Sequence, residues 1–104
     1  MSELTVLKEA HTIIYGDREK TYGHPAKNLK TIAKMWNAYL VACGVATEGE
    51  GELIDKDVAL MMILLKTARL ANDMSHRDSV VDICGYAALI ERCDEEPTTE
   101  SQAE

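Results

Sequence analysis

A chain of 104 residues has room for one core of modest size and no second domain. Its 46% hydrophobic content is ordinary for a globular protein, no apolar run approaches the ~20 residues a membrane span needs, and the first residues show no basic-then-apolar signal segment. A soluble cytoplasmic protein is expected. The net charge of -7 is uneven: residues 94–104 (DEEPTTESQAE) hold five acids and no base, which leaves thirteen acids against eleven bases elsewhere. So balanced a body excludes a groove binder of duplex DNA, and the acidic stretch reads as a disordered tail after a helical domain over 1–93.

In chain order, Ser2 is the candidate cap of a first helix over about 3–15, because Leu4, Leu7, His11 and Ile14 share one stripe and Gly16 follows as a stop. Residues 16–24 (GDREKTYGH) lack apolar periodicity and form a loop. His24-Pro25 starts helix two, about 25–43, with Leu29, Ala33, Trp36 and Leu40 inward, Ile32 and Met35 beside them, and Lys27, Lys30 and Lys34 outward. A Gly- and Glu-rich connection over 44–54 leads to helix three, capped by Asp55 or Asp57 and running to about Ala71. Its segment VALMMILLKTARLA is apolar nearly all round, which predicts burial on several sides and a homo-oligomer built through helices three and four.

Helix four is expected over about 77–93, with Ser75 or Asp78 near its start and Val81, Cys84, Ala88 and Ile90 inward. Gly85 in its middle costs up to ~1 kcal/mol relative to Ala, which close contact with helix three would offset. The fold class is therefore all-α, a single four-helix bundle-like domain. If helices three and four form an antiparallel hairpin turning near Met74, facing residues have numbers that add to about 148. That register sets Lys66 against Asp82, Arg69 against Asp78, Asp57 near Glu91 and Arg92, and Gly85 against Ile63. Charges on the inner side of a hairpin are costly unless paired, so these pairs read as a register-fixing ladder.

Two constellations could carry chemistry. Asp78 and Asp82, one turn apart, could bind Mg²⁺ with Asp57 or Glu91, although the bases facing them reduce the need for a metal. The second is the stretch 15–34, where Arg18, Lys20, Tyr22, His24 and Asn28 gather around a glycine loop that runs into a helix start. The first turn of a helix offers unpaired N–H groups and a favourable dipole end for an anion, and Tyr22 or Trp36 could stack on a base. Cys43, Cys84 and Cys93 are odd in number without CxxC spacing, so reduced, packed thiols are expected. GxSxG, P-loop and HExxH patterns are absent.

Three stretches, DREKTYGHPAKNLKTIAKMWNAYL, DVALMMILLKTARL and HRDSVVDICGYAALIE, together resemble a family of small phage and prophage proteins of unknown function. Its hallmarks are R-x-x-x-Y-G-x-P-x-x-N, D-V-A-x-M-M-x-x-x-K-x-x-R and D-x-x-x-D-x-x-G-Y, matched here by Arg18, Tyr22, Gly23, Pro25, Asn28, Asp57, Lys66, Arg69, Asp78, Asp82, Gly85 and Tyr86. The resemblance implies a helical domain working in the bacterial host's cytosol. DSVVDICGYAALIE is also weakly similar to the second metal-binding helix of all-α MazG-like nucleotide pyrophosphatases, but Lys66 and Arg69 stand where their first acidic pair would be.

The expectation is a phage protein that binds a phosphate-bearing small molecule, a nucleotide or nucleotide-derived signal, through Arg18, Lys20, Tyr22, His24 and Asn28. Lys66, Arg69 and Tyr86, with Asp78 and Asp82, would extend the pocket or hold it rigid. No cofactor, membrane or duplex nucleic-acid partner is expected, and binding would act by sequestration. The alternatives are a Mg²⁺-dependent pyrophosphatase using Asp57, Asp78 and Asp82, and a structural or host-protein-binding module.

Overall fold

A computed structural model describes residues 5–15 and 24–95. The first helix, α1 (Val6–Tyr15), opens at Thr5, whose Oγ1 accepts the Lys8 N–H at 3.1 Å. This N-cap replaces Ser2, which lies outside the described residues. The packed stripe also differs from the expected one: Ala10 and Ile14 are buried, while Leu7 and His11 are exposed. A small side chain at Ala10 lets α1 approach its neighbour closely, and the i, i+4 pair Ala10 and Ile14 faces it. His11 stacks on Tyr15 instead, with ring centroids 4.6 Å apart.

Helix α2 (Pro25–Ala42) begins with proline in its first turn and ends in a Schellman motif. Val45 N–H donates to Leu40 O at 2.9 Å, Gly44 N–H donates to Val41 O at 3.0 Å, and Gly44 takes the positive φ of 82° that the motif requires. Leu29 and Ala33 are buried and Lys27, Lys30 and Lys34 exposed, as expected, whereas Met35 lies outside the core at 68% exposure. The Asn37 amide pins the following connection by donating to Leu53 O at 3.0 Å and accepting from Leu53 N–H at 2.8 Å.

Helix α3 (Asp55–Asn72) starts with Asp57 Oδ2 accepting the Ile54 N–H at 2.8 Å. After a tight turn in which Asp73 accepts from Ser75 N–H and Oγ–H, α4 (Arg77–Arg92) is capped by His76, with Ser75 and Asp78 near its start as expected. His76 Nδ1 accepts the Ser79 N–H at 3.3 Å and lies 2.7 Å from the Ser79 hydroxyl. A neutral imidazole thus does the work usually given to Ser or Asp.

The result is all-α and bundle-like. α4 is its hub: it pairs with α3 as the expected hairpin, packs along α1, and touches α2, while α2 otherwise lies on α3. Val58 and Ala59, both fully buried, sit at the centre with Ile14, Leu29, Ala33 and Leu89 around them. Among the described residues no helix is long and apolar enough to cross a membrane.

The hairpin register holds at two levels. Lys66 Nζ meets Asp82 Oδ2 at 3.1 Å, and at the far end the Cys93 thiol stands beside the Asp55 carboxylate, with Lys56 Nζ 2.9 Å from the Asp94 carboxylate. The other expected rungs do not form. No ion pair joins Arg69 and Asp78 among the described residues; both are exposed, and water solvates each without the entropy cost of fixing a long side chain. Asp57 serves the α3 cap, and Arg92 turns towards α1. The ladder is therefore one central pair and one end cluster.

Gly85 meets α1 and not Ile63: a Cβ placed there would lie 3.4 Å from Ile14 Cγ2. That is ordinary van der Waals contact, so Gly85→Ala gains helix propensity without a clash and should raise stability by about 0.5–1 kcal/mol, read as a higher melting temperature by circular dichroism. Gly85→Leu should lower it, because the longer side chain displaces Ile14.

Burial pushes the Cys93 thiol up to about 11, and the Asp55 carboxylate reinforces this by charge and hydrogen bond. Since the folded value lies above the unfolded one near 9, the associated stability is complete below pH 9 and is lost as pH rises towards 11. Alkylation at pH 8.5 should label exposed Cys43 first, with Cys93 on the order of 100-fold slower as followed by intact mass.

Candidate functional site

Because α1 packs on α4 alone, a cleft of about 280 Å³ opens between α1 and the other helices. Its walls come from Ile13 and Ile14 of α1, Pro25, Asn28, Leu29 and Ile32 of α2, Val58 and Met62 of α3, and Val81, Asp82, Gly85, Tyr86 and Leu89 of α4. The surface is chiefly apolar, with three polar side chains: Asn28, Asp82 and Tyr86. Asp82 is held by Lys66, whose side chain is 14% exposed. Asn28 and Tyr86 make no side-chain hydrogen bond with the described residues, so an amide and a phenol remain available at the cleft.

A buried cation organises the neighbouring corner. Arg92, 5% exposed, ends α4 and donates from Nη1 to Ile14 O at 3.3 Å, in the last turn of α1. Its guanidinium carbon lies 4.4 Å from the centre of the Tyr15 ring. The contact satisfies a carbonyl that the helix end leaves open and sets a positive charge at the negative pole of the dipole. Arg92 Nε also donates to Glu95 Oε1 at 3.1 Å, and the same oxygen accepts from His24 Nε2 at 3.0 Å. His24 Nδ1 in turn accepts the Ala26 N–H at 3.1 Å, capping α2. This bond fixes the tautomer: the ring proton sits on Nε2 and points at Glu95. One network thus ties the end of α1 to the start of α2, on either side of residues 16–23.

Burial alone would raise the Glu95 carboxyl, but hydrogen bonds from His24 and Arg92 and the Arg92 charge outweigh it and hold the group below the usual carboxylate range. Its contribution is therefore present above the ordinary carboxylate pKa and is lost as pH falls through the lowered folded value. Asp73 is likewise held down by its Ser75 hydrogen bonds.

The sequence-derived candidates separate into groups. Asn28 and Tyr86 line the cleft, with Lys66 next to it through Asp82. His24 stands at the corner with both ring nitrogens engaged. Arg69 is exposed on α3. Arg18, Lys20 and Tyr22 lie outside the described residues. Asp57, Asp78 and Asp82 are not gathered: Asp57 caps α3, roughly 20 Å along the hairpin from Asp78 at 1.5 Å per residue. Among the described residues no group of three His, Cys, Asp or Glu side chains is arranged to hold a metal ion. Arg92 and Glu95 were missed as organisers, and so were Met62 and Gly85 as cleft walls. A basic residue in the last turn of a helix is a local signal for Arg92, but its partner on α1 is 78 positions away.

Fold and site define an all-α domain with a polar-edged apolar cleft. The chain belongs to the family described as a domain of unknown function, DUF6378, whose model matches residues 5–94. It is 46% identical over 97 residues to the Gene 55 protein of Mycobacterium phage D29, covering 93% of this chain and 58% of that protein. To the Gene 55 protein of Mycobacterium phage L5 it is 43% identical over 89 residues, covering 86% of this chain and 52% of that protein. The chain thus spans a little more than half the length of these curated relatives. No solved structure matches. The phage setting and the absence of an assigned function agree with the sequence resemblance.

Arg92→Met keeps bulk but removes the α1 and Glu95 bonds together. It should destabilise the fold by about 1–3 kcal/mol, measured as a lower urea midpoint, because the carbonyl at the end of α1 loses its donor and the half-exposed Glu95 carboxylate is left with His24 alone.

Proposed function

We propose that this domain binds a phosphate-bearing small molecule, a nucleotide or nucleotide-derived signal, in the cleft between α1 and α2–α4. The observation that supports the reading is the pairing of an apolar cleft with an unengaged amide and phenol, Asn28 and Tyr86. Its volume of about 280 Å³ suits one nucleoside-sized group, at the small end of ligand pockets. A base would lie on the apolar wall and present its edge to Asn28 and Tyr86. Arg18 and Lys20, on the segment that joins two cleft-lining helices, would supply the cations for phosphate, and Tyr22 a further stacking surface. Lys66, already neutralised by Asp82, serves to hold that wall rigid. In a phage protein, tight binding without turnover would remove a host signalling nucleotide from circulation, an anti-defence role by sequestration.

Isothermal titration against nucleoside phosphates, cyclic dinucleotides and ADP-ribose derivatives tests the reading. One class should bind, with Asn28→Ala and Tyr86→Phe each weakening it roughly 5- to 10-fold, the value of about one hydrogen bond. Lys20→Ala should weaken the phosphorylated ligand but not its nucleoside. Absence of heat for every compound would remove the proposal.

A further inference from the structure

The side of α3 opposite the core is apolar and uncovered among the described residues. Leu60, Met61, Leu64 and Leu65 are 50%, 41%, 67% and 48% exposed, while Val58 and Ala59 on the packed side are fully buried. A contiguous stripe of this kind, one helical turn after another, is characteristic of an interaction surface. The four positions are also symmetric about the midpoint between Met62 and Ile63. A twofold axis there sets Met61 of one copy beside the partner's Leu64, and Leu60 beside the partner's Leu65. Self-complementarity of this sort is what a twofold contact between identical chains demands.

The charges at the two ends of the stripe fit the same axis. Asp57 lies at its N-terminal end with Oδ2 accepting the cap bond and Oδ1 outside it. Arg69 lies near the C-terminal end, on the flank of the stripe that adjoins Met62 and Lys66, exposed and in no ion pair with the described residues. The two stand almost equally far from the midpoint, so an antiparallel pairing brings Asp57 level with the partner's Arg69 at both ends. A parallel pairing would set Asp57 beside Asp57 and gain nothing.

We propose that this face of α3 is a homodimer interface, formed by antiparallel packing of α3 on the α3 of a second copy, with Leu60, Met61, Leu64 and Leu65 at its centre and Asp57–Arg69 pairs at its margins. It is independent of the ligand reading, since the cleft opens elsewhere on the domain. A contact centred on one helix is at the small end of specific interfaces, so dissociation in the micromolar range is expected.

Sedimentation equilibrium of the 104-residue chain across a dilution series from several hundred to about one micromolar is the test. The mass should move between 11.5 kDa and twice that value. Leu64→Asp should hold it at the monomer with helicity by circular dichroism unchanged, and Arg69→Glu, which faces Asp57 with a like charge, should weaken association at least tenfold at low salt. A monomer at every concentration would overturn the interface, as would a dimer that survives Leu64→Asp. Association unchanged by Arg69→Glu would overturn the antiparallel register.

Discussion

The structure turns on one buried cation. Arg92 loses most of its hydration at the end of α4, a cost of several kcal/mol unless donors and charge find partners. It finds them in three different places: the Ile14 carbonyl, the Tyr15 ring and the Glu95 carboxylate. Glu95 then has capacity for one more donor, which His24 supplies. Each bond makes the next affordable, and together they gather the end of α1, the start of α2 and the end of α4 at a single corner. Tyr15 and His24, the described residues on either side of 16–23, both meet this network, so their separation is set by polar chemistry.

The cleft follows from the same arrangement. α1 is held at its C-terminal end by Arg92 and along its length by α4, where Ile14 lies over Gly85. Among the described residues α1 packs closely on α4, and it meets α2 and α3 only through Ile14 and the Arg92–Glu95–His24 network. The core closes where Val58, Ala59, Leu29 and Leu89 meet, and the cleft opens beside it over Met62, Asp82 and Tyr86. A charged pair, Lys66–Asp82, sits on this border between packed and open, where partial hydration lowers the penalty of burying it.

What the sequence made legible was whatever depends on period and punctuation. Pro25 marked the start of α2, Gly44 its end, and a register drawn from one turn brought Lys66 to Asp82. Local patterns failed where a single side chain decides the face. On α1 both 4–7–11–14 and 6–10–14 are helical stripes; the small Ala10 fixed the choice, and it has little weight in an apolar pattern. Caps made by His24 and His76 were hard to see because imidazole caps only in one tautomer. Asp94 and Glu95 look like the start of an acidic tail, yet Asp94 is tied to Lys56 of α3 and Glu95 to Arg92 and to His24 at the start of α2, which no composition reveals.

The geometry also redistributes the roles within the proposed anion site. For His24 to face a phosphate as an imidazolium it would carry a proton on Nδ1, the atom that now accepts the Ala26 N–H. Protonation there turns an attractive bond into two opposed donors and frees the first turn of α2, so the gain from an added positive charge is set against the lost cap, about 1 kcal/mol. The Nε2–H cannot turn to a ligand without leaving Glu95 with Arg92 alone. His24 is therefore better read as a positioning residue that anchors the end of the basic segment. In the proposed site the charge for a phosphate would then come from Arg18 and Lys20.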